Sequence, residues 1–328
     1  MRFIGGVLCI VLGWAIVTAV PALGQLPKFP TLPSGSKTNM INFPTKTMGG
    51  QQLWTDVRFE GGWHIQHNLV TKHFRLLDPH DVRHAWGTLQ QCESVLNSKR
   101  ANGEVQSYQG RVVILLHGLN RTHSSMDLLA NKLQSERGFQ TINFQYASSR
   151  ETIQDHARNL ASVIDGLGPQ VTEIHFVAHS MGNLVVRSYL HQRQNGAEGC
   201  DPRLARMVML GPPNQGSQLA RRLKNNLTFE AVAGVSGQQL SQYWTDLADE
   251  LAVPHFPFAI IAGGGEKGNL YERTVFDGPS DLIVAVPETQ LPGAALHFQL
   301  PLTHTFMMED PQVMNIVAQF LSTGTVSE

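Results

Sequence analysis

From Arg111 onward the chain alternates short apolar runs with longer stretches in which apolar side chains recur every three or four residues. Val112 to Leu116, Thr141 to Gln145, Glu173 to Val177, Met207 to Leu210, Phe258 to Ala262 and Leu296 to Leu300 predict strands. Several are apolar almost throughout, as strands covered on both faces are. Ile153, Ala157, Leu160, Ile164 and Leu167 fall on one side of a helix, and Val313, Ile316, Val317, Phe320 and Leu321 do the same near the end of the chain. Strand and helix in alternation predict an α/β fold: a mostly parallel, doubly wound sheet with helices on both faces.

Upstream, Trp54, Val57, Phe59, Trp63, Ile65, Leu69, Val70 and Phe74 punctuate the stretch from Gln51 to Leu77, and Gly61-Gly62 interrupts it, which predicts a β-hairpin turning at the glycine pair. Asp78-Pro79 then reads as a helix start, with Asp78 as N-cap and Pro79 in the first turn. The 47 residues from Gly211 to Pro257 separate two predicted strands, far more than the roughly two to six usual for such loops, and mark an insert. Ser217 to Lys224 and Gln238 to Leu251 have helical character there, around an apolar stretch punctuated by Gly234 and Gly237.

The first residues read as an address: Arg2, an apolar run from Phe3 to Val20, then Ala22-Leu23-Gly24. A signal peptide over residues 1–24, cleaved after Gly24, is the preferred reading. An uncleaved membrane anchor is the other, since ~17 apolar residues approach the length that spans a bilayer. Either places the body outside the cytoplasm, secreted or periplasmic in the first case and membrane-attached in the second. Residues 25–47, rich in Pro, Ser, Thr, Gly and Lys, read as a flexible linker. Residues 48–328 then form one domain, with an N-terminal extension over 48–110 and the insert over 211–257.

With 42% hydrophobic and 16% charged residues, the 328-residue chain is able to bury a large core. A formal charge of −1 provides no field for nucleic acid or an anionic membrane, so a small neutral molecule is the expected partner, with membrane contact only through an uncleaved N-terminus. Besides Cys9 the chain holds Cys92 and Cys200, a pair open to two readings: a disulfide formed outside the cytoplasm, or two isolated thiols, the latter slightly preferred.

The candidate chemistry lies in Ala178-His179-Ser180-Met181-Gly182, placed between the apolar strand Ile174-His175-Phe176-Val177 and a helix-like segment from Asn183 to Leu190. A serine on a sharp strand-to-helix turn projects its Oγ clear of the sheet, and small residues at 178 and 182 admit the neighbouring chain. With these residues in place, the stretch from Arg111 to the C-terminus resembles the lipase and esterase branch of the α/β-hydrolase superfamily, whose smaller secreted bacterial lipases also carry alanine at the first position of this motif. The resemblance implies an α/β-hydrolase fold and a serine hydrolase acting on carboxylic esters.

It further implies a His-Gly pair after an early strand, supplied by His117-Gly118, with the backbone N–H groups of Leu119 and Met181 as the oxyanion hole. Two such donors would each stabilise a tetrahedral intermediate by about 2.7–4 kcal/mol. His117 itself is expected to shape the turn. The family order of nucleophile, acid and histidine assigns Ser180, Asp281 and His304: Asp281 lies before an apolar run, and His304 just before the last helix. Asp277-Gly278 is the alternative acid, because Leu282 follows Asp281 where the family has glycine. The insert leaves the carboxyl edge of the sheet and is read as a small cap, with Leu227, Phe229 and Val232 either facing an acyl chain or packing the cap onto the core.

His80-Asp81-Val82-Arg83-His84 imitates a zinc-binding helix but offers no third ligand, and Gly263-Gly264-Gly265 lacks the spacing of a phosphate loop, so neither metal nor cofactor is expected. Ester hydrolysis is the leading function. Acyl transfer by the same triad, and a non-catalytic binding protein on the same fold, are the alternatives.

Overall fold

The computed structural model describes residues 45–47, 52–197, 199–265 and 274–326. The expected leader and almost all of the expected linker lie outside them, and no helix among the described residues is long and apolar enough to cross a membrane.

The amino-terminal part forms an antiparallel sheet from β1 (Thr45–Lys46), β2 (Trp54–Glu60), β3 (Trp63–Asn68), β4 (Phe74–Leu77) and β5 (Val82–Gly87), in the order β1-β5-β4-β3-β2. The expected hairpin is its first turn: Gly61 and Gly62 have φ of 54° and 81°, a left-handed pair that matches the twist of the strands. Thr45–Lys46, expected within the linker, instead pairs with β5. The helix expected at Asp78-Pro79 is not there. Asp78 Oδ1 accepts the N–H groups of His80 at 2.8 Å and Val82 at 3.0 Å, Asp81 takes φ 60°, and the chain turns back into β5. Asp-Pro serves a helix start and a tight turn equally well, and pairing between β4 and β5 selects the turn. The helix begins later, as α1 (Leu89–Ala101), capped reciprocally by Thr88 and Gln91. It covers Trp63, Ile65, Leu76 and Ala85 with Cys92 and Leu96. Cys92 and Cys200 are both free thiols.

The rest of the chain runs β6 (Gly110–Leu116), α2 (Asp127–Arg137), β7 (Gln140–Phe144), α3 (Ile153–Asp165), β8 (Val171–His179), α4 (Gly182–Asn195) and β9 (Leu204–Leu210). The insert supplies α5 (Gln218–Arg222), α6 (Leu227–Ser241) and α7 (Trp244–Ala248). Then come β10 (Phe258–Gly263), α8 (Val286–Thr289), β11 (Leu296–Leu300) and α9 (Pro311–Thr323). All six expected strands are present, in a parallel sheet ordered β11-β10-β9-β8-β6-β7. The alternation of side chains divides each strand between two cores. Val112, Ile114 and Leu116 of β6 join Ile153, Leu160 and Leu184 on the face of α3 and α4, while Val113 and Leu115 join Leu129, Leu133, Val317 and Phe320 on the face of α2 and α9. This is the α/β-hydrolase fold.

The order of strands determines where a site can form. After β6 the chain moves outward to β7, and after β8 it moves the other way, to β9, β10 and β11, so neighbouring β6 and β8 send their following connections apart and open a crevice at their carboxyl ends. The antiparallel sheet docks beside it. Asp56 N–H donates to the Gln145 carbonyl at 2.8 Å and Asp56 Oδ2 accepts the Gln145 N–H at 2.7 Å, just past the end of β7. The opposite oxygen of Asp56 is held by His64 Nδ1 and Gln66 Nε2, both at 2.8 Å.

Candidate active site

Ser180 stands between β8 and α4 with φ 54°, a left-handed backbone that costs a non-glycine residue ~1–3 kcal/mol and persists only where its surroundings enforce it. They do. Its N–H donates to the Leu210 carbonyl at 2.8 Å, and its carbonyl accepts from Asn183 N at 3.1 Å and Asn183 Nδ2 at 2.9 Å. Gly182 is obligatory, because a Cβ there would lie 2.8 Å from the His117 carbonyl oxygen. Ala178, the departure from glycine, is fully buried at the end of β8. Ser180 itself is half-buried.

His304 follows β11 and begins a 3-10 turn, His304–Glu309, that leads into α9. Its Nδ1 lies 2.6 Å from Asp281 Oδ2 and its N–H donates to the Asp281 carbonyl at 3.0 Å. Asp281 Oδ1 accepts the N–H groups of Ile283 at 3.0 Å and Val284 at 2.7 Å, which satisfies a carboxylate only 1% exposed. That hairpin-like turn requires Leu282 at φ 81°, the position where the resemblance leads one to expect glycine. Leucine therefore adopts there the conformation that glycine would take freely. Asp277 is exposed, with its N–H on Gln218 Oε1 at 3.2 Å, and is not brought to His304.

Ser180 meets this pair through Leu210-Gly211. A Cβ on Gly211, whose φ is 50°, would fall 3.0 Å from His304 Nδ1 and 3.1 Å from Asp281 Oδ2, so both the left-handed backbone and the tight approach to the acid and histidine favour glycine at the end of β9. A second link comes from His179, whose Nε2 lies 2.9 Å from the His304 carbonyl oxygen, with ring centroids 4.6 Å apart. Neither Gly211 nor His179 was singled out for such a role in the sequence. The position of Gly211 directly after a predicted strand was the one available signal.

The His117-Gly118-Leu119 segment leaves β6 beside the serine. His117 Nδ1–H donates to the Gly118 carbonyl at 2.9 Å, and its ring stacks on Tyr146 at 4.2 Å and 15°, while the Tyr146 hydroxyl donates to the His117 carbonyl. Complete burial lowers the His117 imidazole to a pKa of about 3, so it is neutral, and His117 stands inside the turn, as expected for a residue that shapes it. A Cβ on Gly118 would sit 2.9 Å from His179 Nδ1 and 3.1 Å from Ser180 Cβ, so glycine allows the loop to lie against the serine turn. Among the described residues no acceptor takes the N–H of Leu119 or that of Met181. Asn120, at φ 57°, holds the end of the segment by donating its N–H to Ser148 Oγ at 2.9 Å.

The insert stands over this edge as short helices. The helix expected over Gln238 to Leu251 is divided between α6 and α7, and α6 reaches back to Leu227 through a break at Gly234 (φ 59°, ψ −153°). A side chain at 234 would lie 1.9 Å from the Ser149 carbonyl oxygen, which instead accepts the Val235 N–H at 3.0 Å. Asn120 Nδ2 donates to the Val232 carbonyl at 2.9 Å, which joins the cap to the segment carrying Leu119. Of the three expected wall residues, Leu227 is 80% exposed, Phe229 packs partly buried against the main core, and Val232 is half-buried. His80 and His84 flank the Asp78 turn, with His84 Nε2 on Asp78 Oδ2 at 2.9 Å, and no group of three or more metal-binding side chains occurs among the described residues.

The sheet and the serine turn define an α/β-hydrolase fold protein with serine, histidine and aspartate gathered at the carboxyl edge. Residues 77–241 match the family described as a domain of unknown function (DUF7379), and the chain belongs to that family. No curated protein matches the chain. Among solved structures it is similar to the gene lin2722 product of Listeria innocua, at 21% identity and TM-score 0.46 over 67% of this chain and 97% of that one. It is similar also to the mature lipase BlEst2 of Bacillus licheniformis, at 18% identity and TM-score 0.48 over 66% and 92% of the two chains. With the Staphylococcus hyicus lipase the figures are 11% and 0.46, over 67% and 95%.

Proposed function

We propose that the protein is a serine hydrolase that cleaves carboxylic esters, with Ser180 as nucleophile, His304 as general base and Asp281 as the acid that orients it. The observation that carries this reading is the His304–Asp281 pair, bonded at 2.6 Å, together with a serine held in a left-handed strand-to-helix turn. In this reading Ser180 Oγ attacks the ester carbonyl carbon while His304 Nε2 takes the serine proton. Asp281 keeps the His304 proton on Nδ1 and stabilises the imidazolium. The carbonyl oxygen, now negative, receives the N–H groups of Leu119 and Met181, the latter at the start of α4 where the helix dipole favours negative charge. His304 then returns the proton to the departing alcohol, an acyl-Ser180 remains, and water activated by the same imidazole releases the acid.

The serine, histidine, aspartate and two unengaged N–H groups support hydrolysis over mere binding, and the acyl-enzyme is also what an acyl transferase would form. The test is a panel of p-nitrophenyl esters of graded chain length, together with labelling by a fluorophosphonate. Turnover and labelling that both vanish in Ser180→Ala are the expected result. An unlabelled wild-type protein without turnover would overturn the reading, and preferential transfer to an added alcohol would turn it toward acyl transfer.

A further inference from the structure

We propose that His179, the residue before the nucleophile, is a positioning residue that holds His304 in register with Ser180 by donating its Nε2–H to the His304 carbonyl. The inference rests on the reading of His304 as general base.

The geometry leaves the His179 ring little else to do. Among the described residues Nε2 has one partner, the His304 carbonyl oxygen at 2.9 Å, and a carbonyl only accepts, so the proton is on Nε2. Among the described residues Nδ1 is buried without a partner, and it faces Gly118, where a Cβ would approach it to 2.9 Å. A second proton on Nδ1 would find no acceptor, so the ring is confined to one neutral tautomer. The charged and titratable groups around it agree. Complete burial, with His304, Arg121 and His117 nearby, holds the imidazole well below its ordinary range. His304 is thereby the one imidazole of the pair fitted to carry charge, since it alone has a carboxylate partner.

The consequence for His304 is a backbone gripped from both sides. Its N–H is bound to the Asp281 carbonyl at 3.0 Å and its carbonyl to His179. The acid thus fixes one end of the residue and the nucleophile strand the other. Ring contact at 4.6 Å between the two histidines adds a lateral stop. A base that must exchange a proton with Ser180 Oγ gains from this, because a displacement of ~1 Å in such a site costs on the order of 100-fold in rate.

The test compares His179→Phe, which keeps a ring and removes the donor, with His179→Gln, whose amide nitrogen reaches the place of Nε2, and His179→Asn, whose amide does not. For the p-nitrophenyl esters, Phe and Asn are expected to lower kcat by about 10–100-fold with KM within about twofold, and Gln to recover most of the loss. The far-downfield proton resonance of the His304 Nδ1–H···Asp281 bond should move or broaden in Phe and Asn and return in Gln. Wild-type kcat and an unmoved resonance in Phe and Asn would overturn the proposal, and so would equal losses in Gln and Asn. The Gln and Asn pair decides the matter even if Phe fails to fold. Because the resonance is read without substrate, a protein that hydrolyses no ester but shows this pattern keeps the positioning role and loses only the proposed reaction.

Discussion

The serine edge of the sheet and the cap that follows β9 lie at the same carboxyl ends of the strands and are built in opposite ways. At the edge, both oxygens of Asp281 are occupied, the backbone of His304 is bound at its N–H and its carbonyl, and Ser180 is held through Leu210 and Asn183. In the cap, α6 divides at Gly234. Its second half is anchored, with the Val235 N–H on Ser149, Ser236 Oγ on the Glu151 carbonyl at 2.7 Å, and Gln239 Oε1 accepting the Ile153 N–H at 2.7 Å. Its first half meets the serine edge through Asn120 and Val232 and carries the exposed Leu227. For the proposed reaction, a geometry that fails over an ångström is served by supports whose backbone groups are bound, and a wall proposed to take acyl chains of different length by fewer tethers.

The contrast is broken most severely at Ser180. Ser180→Ala is expected to reduce ester turnover by roughly 10⁴–10⁶-fold while the denaturant midpoint hardly moves, since one hydroxyl and no supporting bond is lost. Steady-state kinetics with unfolding curves on the same preparation measure both, and retained turnover would remove Ser180 from the mechanism. Next come the acids. Asp281→Asn should lower kcat by about 10⁴-fold, because the amide no longer holds the tautomer that receives the serine proton, and Asp277→Asn should leave it near wild type. The reverse order would reassign the acid.

Acid tests the edge through its buried imidazoles. His117, with a pKa of about 3, and His179, well below 6.5, are both lowered foremost by burial, so the unfolded chain takes up their protons first. Their contribution to stability is therefore complete above the unfolded value and is lost as the pH falls toward the folded one. Each group should withdraw about 1.4 kcal/mol per pH unit below ~6.5. Urea unfolding in steps from about pH 7 to 5 should show the midpoint falling, and a flat profile would mean that these rings are hydrated.

The cap is expected to respond more mildly. Phe229→Ala should change the preference between short and long acyl esters by a few-fold to about a hundredfold, the ~1–3 kcal/mol scale of small changes to an apolar pocket. Phe229 also packs against the main core, so a lowered melting temperature with an unchanged chain-length profile would assign it to packing alone. Leu227→Ala, at a site 80% exposed, should alter stability by no more than about 0.5 kcal/mol and shift the profile less than Phe229→Ala.

Much of this molecule was legible in its sequence. Strands covered on both faces write themselves as apolar runs, so all six of the parallel sheet were placed within a few residues, and Gly61-Gly62 marked the first hairpin of the antiparallel sheet because few other residues accept two successive positive φ angles. The strand, serine turn and helix form one local unit, and the resemblance pointed from it to Asp281 and His304 by their order, two side chains that the structure brings within 2.6 Å of one another. What tertiary structure alone decided depends on groups far apart in the chain. Asp78-Pro79 carries the same local signal for a helix start and a turn, and β4 pairing with β5 made it a turn. No local pattern marks Asp56, His64, Gln66 and Arg75, yet they are buried together, with Asp56 bound across to Gln145, because an ionisable group is stable inside only when distant partners converge on it. Gly211 and His179 belong to the same class. Their roles exist only where β9, β8 and the His304 turn meet, and no spacing along one segment encodes a contact made between three.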